Sequence, residues 1–131
     1  MTVIVKKGAF YDFYRSRPTN RPGTELTLSD HSEIGKQIAE PTALRQVRNG
    51  KDVYTQFRAD AYKLACSAYD GVAPKWDGAH QSKYFPHYHP GDEHTDKWKR
   101  TASEGRPISG DAPGHVYWGN RGGLQGEKQP R

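Results

Sequence analysis

The chain has 131 residues, 33% of them hydrophobic, with a mean hydropathy of −1.02 and a net charge of +5 at neutral pH. That length suits one domain, and its low apolar content excludes a long coiled coil, a collagen and a spanning helix, which needs about 20 apolar residues in a row. A single cysteine, Cys66, excludes an internal disulfide scaffold and a cysteine-cluster metal site.

Eight Tyr, four Phe and three Trp stand in for scarce aliphatic residues, so a small core built largely from rings is expected. Residues 2–5 read as a short strand ended by Gly8. No secretory leader is expected there, because the apolar stretch is too short and Lys6 and Lys7 follow it rather than precede it. Phe10, Tyr11, Phe13 and Tyr14 form an aromatic cluster that should pack onto the domain. Arg15 to Gly23, with two Pro and three Arg, reads as an exposed linker.

Ser29 or Asp30 can cap a helix carrying Ile34 and Ile38 on one face. Pro41 interrupts it, and Leu44 and Val47 continue as a short helix to the Asn49-Gly50 turn. Lys51 to Thr55 is a strand candidate. Residues 56–69 carry the clearest helical pattern, with Phe57, Ala61, Leu64, Ala65 and Ala68 spaced by three and four. Gly71 is a natural stop, and Cys66 reads as a small core residue. Beyond Ala73 the chain is rich in Gly, Pro and His, with strands expected over Tyr84–His89 and His115–Trp118. The implied organisation is an arm over residues 1–28, a catalytic domain over 29–119 and a flexible tail over 120–131.

Histidine placement is the strongest chemical signal. His80, His87, His89 and His94 fall within fifteen residues, and His115 opens a separate strand candidate. On a strand, residues two apart share a face, so His87 and His89 should project side by side with Tyr88 opposite. An adjacent strand would bring His115 to the same face. Convergent imidazoles suit acid–base catalysis near neutral pH. They equally suit ligation of a divalent metal, with Asp92, Glu93 and Asp96 close in sequence. A histidine-rich surface loop without activity is the plain alternative.

Lys97, Lys99 and Arg100 follow the cluster, with Trp98 among them, and suit phosphate binding with base stacking. The same run also suits a solvated charged face. The chain has no phosphate-loop glycine motif, no Gly-x-Gly-x-x-Gly, no His-Glu-x-x-His and no Gly-x-Ser-x-Gly.

Three segments carry a resemblance: Asn49 to Thr55 with the helix after it, Phe85 to Pro90, and His115 to Gly119. Over about residues 44–119 the chain resembles the C-terminal toxin domains of bacterial polymorphic toxin systems, the contact-dependent, Rhs-type and type VI effectors. The resemblance implies a compact α+β ribonuclease-like fold, with N-terminal helices packed on a small antiparallel sheet. It implies delivery by a larger polypeptide into a target-cell cytoplasm, and a dedicated immunity protein, acidic by charge complementarity. Deaminases of this class are discounted, because their Pro-Cys-x-x-Cys element needs more cysteine.

The leading expectation is a metal-independent ribonuclease. A ribose 2′-hydroxyl attacks the adjacent phosphate while one histidine removes its proton and another protonates the leaving oxygen. His115 should pair with His89 or His87. Lys51, Lys97, Lys99 and Arg100 would offset phosphate charge, and Tyr54, Thr55 and Tyr117 would bind or stack on RNA. One alternative is a metal-dependent DNase with His87, His89, Asp92 and His115 around one divalent ion. Another is a binding module without turnover.

Overall fold

The computed structural model describes residues 13–19, 26–29, 32–69, 71, 73–91 and 114–127. Among the described residues the fold is α+β, a six-stranded mixed sheet with two helices. In chain order the elements are β1 (Phe13–Pro18), β2 (Ser32–Ile38), α1 (Glu40–Arg48), β3 (Val53–Thr55), α2 (Arg58–Ala68), β4 (Lys75–Asp77), β5 (His87–His89) and β6 (Val116–Trp118). The sheet order is β2-β1-β3-β6-β5-β4. All pairs are antiparallel except β3 with β6, which run parallel.

Two expectations about order give way. The sheet is mixed rather than antiparallel, and two strands precede the helices. The stretch read as a linker from Arg15 onward begins as β1, which pairs with β2 on one side and β3 on the other. The expected helix through Ile34 and Ile38 is β2. Pro41 opens α1 instead of breaking a helix, because its fixed φ suits a first turn where the N–H lacks a partner anyway. Arg45 and Arg48 sit in the last turn, favourable for the helix dipole, and Gly50 at φ 82° ends it. The alanine-rich helix is present as α2, with Ala61, Leu64, Ala65 and Ala68 buried. The strand expected over residues 2–5 lies outside the described residues.

Strand alternation divides the side chains between two faces. Toward the helices point Phe13, Val53, Tyr88, Val116 and Trp118, which join Ala43, Val47 and the α2 residues in the main core. On the other face Tyr14, Tyr54 and Tyr117 pack with Leu28, Ile34 and Phe85. The pairing register sets Tyr14, Tyr54, Tyr117, His87 and Asp77 in one row across five strands. The row is aromatic at one end and ionisable at the other.

The flexible tail expected over residues 120–131 begins differently, and residues 128–131 lie outside the described residues. Residues 119–127 are tied to the domain. They form successive turns that hydrogen-bond back to the segment before β5, with Ala79 N–H donating to Gly123 O at 3.0 Å and Gly122 N–H to Tyr84 O at 2.6 Å. Leu124 packs against the main core. Among the described residues no helix is long and apolar enough to cross a membrane.

Candidate metal centre

His87 and His89 leave β5 on the face away from the helices, and Tyr88 leaves it on the other. Antiparallel pairing of β5 with β6 brings His115, just before β6, beside them. The ring centroids of His87 and His115 lie 4.9 Å apart and nearly stacked, those of His87 and His89 4.7 Å apart, and those of His89 and His115 4.6 Å apart. One nitrogen from each ring falls within 4.8 Å of the other two. A tetrahedral ion with M–N bonds of about 2.0–2.1 Å sets neighbouring nitrogens about 3.3 Å apart, so modest side-chain rotation suffices.

The hydrogen bonds assign the ring protons. His87 Nδ1 lies 3.3 Å from the Phe85 carbonyl, which can only accept, so Nδ1 carries the hydrogen. Its Nε2 is then a bare lone pair, buried and without a hydrogen-bond partner. His89 donates from Nε2 to Asp77 Oδ2 at 3.0 Å, leaving Nδ1 as its lone-pair nitrogen when neutral. The Tyr117 hydroxyl sits 3.5 Å from His115 Nδ1, and its ring lies 4.9 Å from His87. A carbonyl behind one imidazole and a carboxylate behind another are the usual outer partners of metal-bound histidines.

Electrostatics agree with this assignment. Burial, with the neighbouring His115 and His89, pushes His87 down to about 3 from its ordinary 6.5. Burial, with His89 and His80, pushes His115 down to about 3. Both are neutral at pH 7, the state that ligates a cation and a poor state for a general acid.

Asp52 holds His115 in place. Its carboxylate accepts the His115 backbone N–H at 2.9 Å and the Ser32 hydroxyl at 3.3 Å. Gly114 permits the approach: a Cβ there would fall 1.9 Å from the Lys51 carbonyl oxygen, so any larger residue would push the chain away.

The sequence-predicted site divides accordingly. His87, His89 and His115 converge, and Tyr117 lines them. Tyr54 is buried with its hydroxyl donated to Gly119 O at 2.6 Å, and burial with nearby Tyr14 raises it to about 12. Thr55 is fully buried, so neither residue offers a base a surface to stack on. Lys51 is exposed. Asp92, Lys97, Lys99 and Arg100 lie outside the described residues. Sequence reasoning missed Asp77, Asp52 and the Phe85 carbonyl. Asp77 was detectable only through the alternation of Lys75-Trp76-Asp77, since its place depends on which strand β4 pairs with.

No protein-family model, curated protein or solved structure matches the chain.

Proposed function

We propose that His87, His89 and His115 hold a divalent first-row transition ion, and that the protein is a metal-dependent nuclease. The observation that carries this reading is the His87 Nε2 lone pair, buried, without a partner and grouped with the nitrogens of His89 and His115. Three imidazole nitrogens gathered this closely, one of them a buried lone pair with no hydrogen to accept, would be satisfied by a cation placed among them. Neutral imidazoles favour zinc, cobalt, nickel or copper over magnesium or calcium, which prefer oxygen.

A bound ion of this kind supplies Lewis acidity toward a phosphoryl oxygen and a water acidic enough to attack near neutral pH. The chain's residues hold and orient. Asp77 fixes the His89 ring, the Phe85 carbonyl fixes His87, and Asp52 fixes the backbone at His115. A nucleic-acid substrate is supported by the net charge of +5 and by the resemblance to toxin nucleases. The same resemblance supports delivery by a larger polypeptide, action in a target cytoplasm and an acidic immunity protein.

A metal-free ribonuclease is the second reading, favoured by the His89–Asp77 pair, in which a carboxylate orients an imidazole as a base. Crowding counts against it. Two hydrogen bonds of about 2.6–3.2 Å, one on each side of a phosphate, already exceed the 4.8 Å that contains all three nitrogens.

The test is incubation of the pure protein with bacterial RNA and with plasmid DNA, each with EDTA and after restoring Zn(II), Co(II) or Mn(II). Cleavage that stops with EDTA, returns with metal and is lost in His89→Ala and His115→Ala is expected. Cleavage that survives EDTA would transfer the reading to the metal-free ribonuclease, and no cleavage of either substrate would end both.

A further inference from the structure

We infer that His80 is a fourth ligand of the ion held by His87, His89 and His115, reaching it from the solvent side. This rests on the metal reading above. His80 forms a second close group with Asp77 and His87, whose ligand atoms also fall within 4.8 Å of one another. Its ring centroid is 5.1 Å from that of His87.

The two groups share His87, and that fixes their relation. His87 has one free lone pair, because its other nitrogen donates to Phe85 O. One lone pair serves one ion. The groups are therefore two sides of a single centre, not a pair of centres. Asp77 already accepts from His89. What the second group adds is the imidazole of His80, chemically the same donor as the other three.

The backbone holds His80 at this spot. Its neighbour Ala79 is fully buried and tied from both sides, donating to Gly123 O at 3.0 Å and accepting from Gly126 N–H at 3.2 Å. Gly78 N–H donates to Glu127 O at 2.7 Å. A Cβ on Gly78 would fall 1.7 Å from the Leu124 carbonyl oxygen, so this contact requires glycine. The turns of 119–127 thus hold a rigid base from which the exposed His80 extends.

The ligands differ in mobility. His87, His89 and His115 belong to paired strands or their ends and are buried or partly buried. His80 is exposed on a turn. Four protein ligands close a tetrahedral centre, whereas three leave a position open. His80 is the ligand that a phosphate group arriving from solvent displaces.

Co(II) titration followed by visible absorption tests this, comparing the full chain with His80→Ala. The expected result is Co(II) binding at least about 10-fold weaker in the variant, within the 10–100-fold that even outer-sphere changes produce. The absorption should change shape, and inorganic phosphate should move the wild-type spectrum toward that of the variant. Equal thermal melts of the two metal-free proteins would exclude misfolding. Unchanged affinity, or weaker binding with an unchanged spectrum, would overturn the role of His80 while leaving the three-histidine centre intact. Failure of the wild type itself to bind Co(II) would instead overturn the metal reading and this inference with it.

Discussion

The carboxylate of Asp52 accepts the backbone N–H of His115 at 2.9 Å, joining residues 63 apart in the chain. The bond fixes where β6 begins and so where the third imidazole stands. Burial holds the Asp52 carboxyl above its ordinary range, against the lowering effect of the bonds from His115 and Ser32. Asp52→Ala leaves a partly buried N–H without an acceptor and should cost about 1–3 kcal/mol in chemical denaturation. Asp52→Asn keeps an acceptor and should cost less. As pH rises from 3.8, the unfolded chain ionises Asp52 before the folded form does, so the contribution of this one group falls through that window, against the rise that the buried histidines contribute. Asp52→Asn should lack this drop, and identical acid-range profiles would refute the account.

Stability of the metal-free protein should rise with pH between about 3 and about 6.5. In that window the unfolded chain protonates His87 and His115, while the folded chain keeps both neutral. Each contributes up to about 1.4 kcal/mol per pH unit. Urea midpoints measured across this range in EDTA should therefore fall steadily toward acid. His87→Gln should remove part of the slope, and a flat profile would contradict the burial of these rings.

Asp77→Asn should weaken Co(II) or Zn(II) binding by about 10–100-fold with little change in the fold. Asp77 is on β4 and orients His89 without itself being a member of the three-histidine group. Metal titration of the variant is the measurement, and affinity equal to wild type would show that the His89 ring needs no such support.

Arg58 secures the far side of the site-bearing strands. Its guanidinium carbon lies 5.0 Å from the Trp118 ring centroid, 5.3 Å from Trp76 and 6.0 Å from Tyr88, and Nε donates to the Tyr88 hydroxyl at 2.9 Å. One side chain thus touches β4, β5 and β6 together. Arg58→Ala should cost about 1 kcal/mol, seen as a lower melting temperature. Arg58→Lys should recover only part of this, because an ammonium cannot stack as a planar group does.

Gly114→Ala should damage both stability and metal binding. Its Cβ would meet the Lys51 backbone, where no flexible side chain can yield, and the displacement is passed directly to His115. Loss of metal binding with an unchanged melting temperature would mean that the loop moves freely and that the contact is not structural.

The convergence of histidines was legible in the sequence because a two-residue repeat on a strand is a strong geometric constraint. His87 and His89 share a face under that rule, and His115 needed only strand adjacency. Helix α2 was legible because its alanines and Leu64 fit only the helical period. Strand β2 was not. Ile34 and Ile38 are four apart, the spacing of one helix face, but a shift in the β1–β2 register sends Ile34 to the face bearing Tyr14 and Ile38 to the main core. Pro41 looks like a break only if a helix already runs through Ile34 and Ile38; with those residues on a strand it is a helix start. Asp52 carried no local signal and Asp77 only the alternation of its short strand: each acts across a distance that chain pairing alone creates.

The order of segments bears on how the centre comes into being during synthesis. Strands β1 to β3 and both helices precede every member of the histidine group. The centre then waits for β6, which inserts between β3 and β5 and is parallel to a strand some sixty residues earlier. Such non-local pairing is slow to form. A ribosome would therefore finish most of the scaffold while the chain was still chemically inert, and reactivity would arise only when the closing strand entered the sheet.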